Sequence, residues 1–276
     1  MNRNLFGHLF DDWCWDIMGL PPILDDWQIA QVVDKLGPYR EGYRNLPIED
    51  NHEPLVSCSS FGLVSKDYYL NKLADGEMIF LPALEKKLIY PIAWVRKSVA
   101  ESLKIVDDLL RKHGLFIVIT SGWRHSQTQE LAIKWSRQKY GETETDRRYA
   151  NVDDSQQKVI VPHQTGGAVD LELWSLQTNR PLTRIESTDD EINFFVLEKK
   201  ANITEPEVNK RYVRRLLFHL LTSPNVCLPD TRLFTIHPGE FWHYGYGDSL
   251  SAFFKKEPFA IYGPTEPPKN YNMYNY

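Results

Sequence analysis

The sequence predicts an α+β fold in a single domain. Between residues 92 and 237, segments with apolar residues at helical spacing are mixed with short apolar runs typical of buried strands. These segments do not follow the regular βαβ order of a parallel sheet, so we expect a small central antiparallel sheet flanked by helices. No internal repeat and no glycine- and serine-rich linker divides the 276 residues.

The first helix and strand of this domain have the clearest pattern. Val95, Val99 and Leu103 begin an apolar stripe at helical spacing, and Gly114 provides a stop, which predicts a helix over 92–113. The run "LFIVIT" (115–120) is continuously apolar and predicts a strand buried on both faces. The segment "QTQELAIKWSRQKYG" then predicts a second helix that ends at Gly141.

The second half of the domain has shorter elements. A polar stretch over 142–157 predicts an exposed loop, and "KVIVP" and "AVDLELW" predict strands on either side of "HQTGG". Thr204 and Glu207 have the spacing of a capping box and precede an apolar stripe, which predicts a helix over 205–221. The run "RLFTIH" predicts a last strand, leading into "PGEFWHYGYGD".

The ends of the chain differ from this domain in composition. Residues 1–90 are irregular and rich in Trp, Tyr and Pro, and we expect an N-terminal extension that packs on the core formed by residues 91–262. The tail over 263–276, "GPTEPPKNYNMYNY", has too little aliphatic content to fold alone and is expected to be an ordered arm or disordered.

Composition excludes several functional classes. No run approaches the 18 or so apolar residues of a membrane span, and aspartates interrupt the aromatic N-terminus, so it does not resemble a secretory signal. The net charge is −5, and charged residues of both signs are mixed along the chain, so the sequence gives no indication of a basic surface that would bind nucleic acid. Cys14, Cys58 and Cys227 lie far apart and form no CxxC pair, so neither a disulfide framework nor a thiolate zinc cluster is indicated. We therefore expect a cytoplasmic protein; the oligomeric state is not indicated.

The stretch "HQTGGAVDLEL" (163–173) is a candidate half of a metal site. His163 and Asp170 would face opposite sides of one continuous strand, but Gly166 and Gly167 permit a reversal between them. Asp170 lies among apolar residues, and a buried carboxylate needs a cation or several donors. The alternative, a turn histidine and a carboxylate that accepts backbone hydrogen bonds, is equally compatible with this stretch alone.

The stretch "PGEFWHYGYGD" is a candidate second half. Glu240 and His243 are three residues apart and would diverge on a strand, so a shared role requires a helical turn or bend, which Pro238 and Gly239 make plausible. The alternative is an edge strand with a solvated Glu240. His237 is the competing histidine, because it lies six residues before His243.

Together these two stretches match a catalytic zinc site. Two imidazoles and one carboxylate (His163, Asp170 and His243) bind Zn²⁺ and leave one position for water, and Glu240 can take that water's proton during amide hydrolysis.

A third stretch, "SGWRHSQTQ", follows the buried strand and contains Arg124. Its guanidinium could bind a substrate carbonyl or carboxylate, or it could be a surface group stacked on Trp123. His125 is expected to be exposed or to support the site. The histidines elsewhere have no partner motif and are expected at helix ends or on the surface: His8, His52, His113 and His219.

These motifs resemble those of the zinc D,D-peptidases, the family that includes the D-alanyl-D-alanine dipeptidases of vancomycin resistance and related D,D-carboxypeptidases. The family pattern is an arginine in a strand-end loop, then H-x(6)-D with internal glycine and alanine, then E-x-x-H. Arg124, "HQTGGAVD" and "EFWH" match it in order, over roughly 90–262. The resemblance implies the hedgehog/D,D-peptidase-like fold, one zinc ion per chain held by His163, Asp170 and His243, Glu240 as general base, and Arg124 steadying the carbonyl oxygen.

The motifs divide between two branches of this family. "SGWR" and "HQTG" resemble the carboxypeptidases, whereas "LWSLQTNRPL", "NKRYVRRLL" and "WHY" followed by "AIYG" resemble the dipeptidases. The resemblance therefore predicts hydrolysis of D-Ala-D-Ala or a similar small dipeptide. The alternatives are a D,D-carboxypeptidase that trims peptidoglycan stem peptides and a non-catalytic zinc-binding module of the same fold.

Overall fold

A mixed sheet forms the centre of the molecule. The structure is a computed structural model that describes residues 39–143, 145, 160–182, 216–218, 220–222, 233–237 and 240–268. In these residues the strands are β1 (Leu55–Ser57), β2 (Val64–Ser65), β3 (Trp94–Arg96), β4 (Leu115–Ser121), β5 (Ala168–Ser175), β6 (Arg180–Pro181), β7 (Thr235–His237) and β8 (Glu240–Gly245). Within the described residues, six of them form a sheet in the order β2-β4-β5-β8-β7, with β6 also paired to β5.

The helices surround this sheet. In the described residues they are α1 (Tyr39–Arg44), α2 (Tyr68–Ala74), α3 (Leu81–Glu85), α4 (Lys97–Arg111), α5 (Ser126–Tyr140) and α6 (Ser249–Lys255). Short 3₁₀ helices lie at Cys58–Phe61, Met78–Phe80 and Pro162–Thr165. None of the helices in the described ranges has the length and apolarity needed to cross a bilayer.

The core lies on one face of the sheet. Alternate residues of β5 (Val169, Leu171 and Leu173) are buried in one cluster with Leu103 and Val106 of α4. Side chains alternate between the two faces of a strand, so Asp170 and Glu172 project from the opposite face. The strongly apolar stripe of α4 thus fixes which face of the sheet remains for polar groups.

The predicted α+β class is confirmed, but the sheet is not purely antiparallel. β2 pairs with β4 in parallel, while the pairs β4–β5, β5–β8 and β7–β8 are antiparallel. The strand β2 comes from the predicted N-terminal extension, and Cys58 and Leu63 of the same region lie in the core. The domain boundary at residue 90 remains a prediction.

Three predicted elements need correction. The helix expected from residue 92 begins at Lys97, because Trp94–Arg96 form β3 and pair with β1. "KVIVP" is not a strand where it is described, since Ile160 and Val161 are irregular and Pro162 begins a 3₁₀ helix. Glu142, Thr143 and Thr145 are helical and not part of a loop.

Other predicted elements agree with the structure as far as it describes them. The strand at 115–120 and the helix ending at Gly141 are present as β4 and α5. Residues 216–218 and 220–222 are helical, whereas 205–215 and 219 lie outside the described residues, as does most of the stretch 146–159. The predicted last strand is present as β7. In the C-terminal tail, Thr265 N–H donates to the Gln164 carbonyl over 3.1 Å, while residues 269–276 are not described.

Candidate metal centre

Three neighbouring strands bring polar side chains into one row. Asp170 of β5 lies directly opposite His243 of β8 and opposite Ser121 of β4. Directly opposed residues project from the same face of a sheet. Ser121 reaches this row because the pairing of β4 with β5 shifts between Ile119 and Ser121, a bulge that changes the face of the strand end. The polar face of the sheet therefore presents Ser121, Asp170 and His243 side by side.

The turn before β5 brings His163 to the same row. The 3₁₀ helix Pro162–Thr165 ends at Gly166, which has a φ of 72°, so the predicted reversal is present. His163 Nδ1 lies 2.8 Å from the Gly122 carbonyl oxygen. A carbonyl can only accept a hydrogen bond, so Nδ1 carries the hydrogen. His163 Nε2 is then the lone-pair nitrogen, and it points towards Asp170 and His243.

The three facing atoms form a small triangle. His243 Nδ1 is 3.1 Å from Asp170 Oδ1 and 3.2 Å from His163 Nε2, and His163 Nε2 is 3.4 Å from Asp170 Oδ1. Ligands about 2.0–2.1 Å from a tetrahedral Zn²⁺ are separated by about 3.3 Å. The donor set and its dimensions therefore fit one metal ion, and among the described residues these three are the group that can hold one.

The electrostatics of the triangle call for a cation. Burial, with the charges of Arg124 and His243, lowers the pKa of His163 to about 4 against the opposing charge of Asp170. Burial opposes ionisation of Asp170, but the neighbouring imidazoles of His163 and His243 hold the pKa of Asp170 below its usual range. His163 Nε2 and Asp170 Oδ1 both direct lone pairs towards His243 Nδ1. Such a buried arrangement is stable only when a proton or a metal ion lies between these atoms.

His243 Nδ1 can bind that cation, which is either a proton or a metal ion. Burial lowers the pKa of His243, but the hydrogen bond and charge of Asp170, with the charges of Glu240 and Asp248, raise it above the usual value. A proton on His243 Nδ1 and a metal ion are thus alternatives at one position.

Glu240 lies beside the triangle without being part of it. Its Oε2 is 3.6 Å from His243 Nδ1, and the side chain is 19% exposed. Both residues belong to β8, so no helical turn joins them, while Pro238 and Gly239, where the sequence allowed a bend, lie outside the described residues. Instead the pairing of β7 with β8 jumps from Ile236–Tyr244 to His237–Glu240, an irregularity that brings Glu240 back towards His243. The ring of His237 packs against His243, with 5.5 Å between centroids.

Arg124 is attached to the other side of Asp170. Its Nη2 donates to Ser121 Oγ over 2.9 Å and lies 3.3 Å from Asp170 Oδ2, and its Nη1 donates to Gln129 Oε1 over 2.6 Å. The guanidinium lies over the ring of Tyr69, 5.0 Å from its centroid. The alternative of a surface arginine stacked on Trp123 is therefore wrong, because the side chain is only 10% exposed and the ring beneath it is Tyr69.

Two residues that hold Arg124, Ser121 and Gln129, are not among the predicted site residues. Gln129 is in the first turn of α5 and is 2% exposed. A helix that begins two residues after Arg124 necessarily presents its first turn to that arginine, which is the pattern that could have revealed Gln129.

The remaining predicted residues lie away from the triangle. His125 caps α5, where its Nδ1 accepts the Gln127 N–H, and the side chain of His52 is 89% exposed. The Cys58 thiol is buried in the core, and this burial raises its pKa. Four residues lie outside the described ranges: His8, Cys14, His219 and Cys227.

Comparisons with known proteins do not assign this chain to a family. No protein-family model matches the sequence, and no curated protein matches it. Among solved structures, that of the LdcB LD-carboxypeptidase, which reveals the molecular basis of peptidoglycan recognition by that enzyme, has a TM-score of 0.31. The two chains are 17% identical, and the alignment covers 59% of this chain and 70% of the other. At that TM-score no activity is transferred from one chain to the other.

Proposed function

We propose that the protein is a zinc-dependent hydrolase of a small D,D-dipeptide such as D-Ala-D-Ala. The observation that carries the proposal is the triangle of His163 Nε2, Asp170 Oδ1 and His243 Nδ1, with edges of 3.1–3.4 Å, between Glu240 on one side and Arg124 on the other. Metal-assisted amide hydrolysis requires ligands for the ion, a carboxylate outside the ligand set and a positively charged side chain, and this arrangement provides all three.

The donor set favours zinc over other common ions. Magnesium and calcium prefer six or more oxygen ligands, whereas two imidazoles and one carboxylate are a usual protein ligand set for a catalytic zinc ion. When bound, the ion would acidify a water molecule and polarise the scissile carbonyl.

In this proposal Glu240 moves the proton. A carboxylate next to the ion, but outside its ligands, can accept a proton from the attacking water at Oε2 and deliver it to the leaving amine. The partial exposure of Glu240 is compatible with this role, because the group must meet both water and substrate. Its Oε2 is near the ion position, 3.6 Å from His243 Nδ1, but Glu240 is not a member of the group of three that could hold the ion.

Arg124 stabilises the developing negative charge. Its guanidinium is fixed by Gln129, Ser121 and the Tyr69 ring beside the Asp170 carboxylate. A donor fixed before the reaction does not need to reorganise when the carbonyl oxygen becomes negative. The choice of a D,D-dipeptide as substrate comes from the motif resemblance, and the geometry supports the hydrolytic chemistry.

A peptide panel tests this proposal. Zinc-loaded protein is incubated with D-Ala-D-Ala, L-Ala-L-Ala and a stem pentapeptide that ends in D-Ala-D-Ala, and free alanine is quantified, with Glu240→Gln as the inactive control. We expect release from D-Ala-D-Ala in preference to the other two. Preference for the pentapeptide would indicate a D,D-carboxypeptidase instead. Bound zinc with no hydrolysis of any member would indicate a non-catalytic module and overturn the proposal.

A further inference from the structure

The outer nitrogen of His243 has no hydrogen-bond partner among the described residues. His243 Nδ1 is one corner of the triangle. The other ring nitrogen, Nε2, is buried and makes no hydrogen bond with any described residue. A buried polar group without a partner costs roughly 1–3 kcal/mol. Histidines that bind metals usually donate the hydrogen of the other ring nitrogen to a carboxylate, a carbonyl or a water. His243 Nε2 therefore requires an acceptor.

Asp248 provides a carboxylate oxygen that also lacks a partner. Asp248 is fully buried, and its Oδ1 accepts the Ser251 N–H over 2.9 Å at the start of α6. Its Oδ2 is buried and makes no hydrogen bond to any described residue. A buried donor and a buried acceptor thus each lack a partner in the same part of the molecule.

The backbone at Gly245 places these two groups on the same face of β8. A Cβ added to Gly245 would lie 2.5 Å from Asp248 Oδ2, so the carboxylate occupies the space of the missing side chain. Gly245 is two residues after His243 in β8, and alternate residues of a strand project from one face. The Asp248 carboxylate therefore lies on the same face of β8 as the His243 side chain, in the place of the next side chain along the strand.

We propose that Asp248 is a positioning residue for His243, whose carboxylate accepts the Nε2–H directly or through one buried water. This hydrogen bond places the ring hydrogen on Nε2 and leaves the Nδ1 lone pair for the metal ion. It also fixes the plane of the ring. The inference rests on the metal site of the proposed function but not on hydrolysis.

The electrostatic coupling of the two groups agrees with their placement. Burial raises the pKa of Asp248, while the Ser251 hydrogen bond and the charge of His243 oppose that rise. Burial likewise lowers the pKa of His243, and Asp248 is among the charges that oppose it. Each group thus favours the charged form of the other.

The test measures zinc affinity by competition with a chelator. Asp248→Asn keeps an oxygen that can cap the Ser251 N–H but removes the charge, and Gly245→Ala keeps the carboxylate but occupies its space. Both variants should bind zinc about 10- to 100-fold more weakly than the wild type. Ser251→Ala changes the same helix start but keeps the backbone N–H that donates to Asp248 Oδ1, and its zinc affinity should be unchanged.

A spectroscopic measurement separates positioning from a purely structural effect. In the zinc-loaded wild type, the His243 Nε2–H should give a proton resonance protected from exchange, and Asp248→Asn should shift it and remove that protection. Unchanged zinc affinity in both variants with an unchanged resonance overturns the inference alone. Absence of zinc binding by the wild type would instead overturn the proposed metal site, and the inference with it.

Discussion

Asp170 and His243 lie directly opposite each other on the antiparallel strands β5 and β8, with 3.1 Å between Asp170 Oδ1 and His243 Nδ1. Sheet register, and not a flexible loop, therefore sets the distance between two of the three proposed ligands. A slip of one residue would move one of them to the opposite face of the sheet. The site thus depends on the same apolar alternation that buries Val169 and Leu171 in the core.

Glu240→Gln should reduce kcat by about 10²- to 10⁴-fold, because the amide cannot accept the proton of the attacking water. Zinc content should be unchanged, since Glu240 lies outside the triangle. Steady-state kinetics and metal analysis of the same preparation test both statements. Glu257→Gln, a change at an exposed carboxylate, serves as the control. Activity close to that of the wild type would exclude Glu240 as the base.

Asp170→Asn should abolish stable zinc binding, because a neutral amide oxygen is a much weaker ligand than a carboxylate. Metal analysis after dialysis measures the loss, and circular dichroism shows whether the fold persists. Glu172→Gln is a matched control on the same face of β5, where Glu172 accepts a hydrogen bond from Trp174 Nε1. One equivalent of zinc retained by Asp170→Asn would contradict the ligand assignment.

Gln129→Leu should lower kcat by about ten- to a hundredfold with unchanged zinc content. Gln129 holds Arg124 Nη1, and a misplaced guanidinium stabilises the transition state less well. Kinetics should show the effect mainly in kcat. Gln127→Leu changes an exposed residue of the same helix and should behave like the wild type. Equal kcat values for the two variants would show that Gln129 does not position Arg124 for catalysis.

Zinc affinity should rise with pH and then level off. The raised pKa of His243 means that its proton competes with the ion, whereas His163, with a pKa of about 4, is already neutral near neutral pH. Raising the pH removes this competitor, so affinity should increase about tenfold per pH unit until His243 is neutral. Calorimetry near pH 6 in buffers of different ionisation enthalpy should detect release of about one proton. An affinity independent of pH across this range would contradict the proposed protonation state of His243.

Arg96→Met should destabilise the fold by about 2–5 kcal/mol, because it leaves the buried carbonyls of Thr165 and Gly263 without their charged donor. Arg96 is 1% exposed; its Nε donates to the Thr165 carbonyl over 2.7 Å and its Nη2 to the Gly263 carbonyl over 2.8 Å. It also pairs with Asp50 over 3.3 Å. Urea denaturation measures the change. Lys97→Met breaks an exposed pair with Glu101 and should cost at most about 1 kcal/mol.

Local sequence predicted the parts of the site that depend on local geometry. Gly166 and Gly167 indicated the reversal before β5, and the apolar neighbours of Asp170 indicated its burial. The apolar run of β4 and the helix after it were also predicted, because each carries its own periodicity.

The parts that depend on pairing between distant segments were not predictable. Trp94–Arg96 continue the apolar stripe of α4, but they form a strand because β1, nearly forty residues earlier, pairs with them. Glu240 approaches His243 through irregular pairing with β7 and not through a helical turn. Gly245 leaves room for the Asp248 carboxylate, and this role likewise depends on the path of the chain between the two residues.

Zinc-dependent hydrolysis is tested by the rate of D-alanine release from D-Ala-D-Ala before and after removal of the metal. A chelator should abolish release, and one equivalent of zinc per chain should restore it. Release that persists without metal, or no release from protein that holds one equivalent of zinc in the triangle of His163, Asp170 and His243, would contradict it.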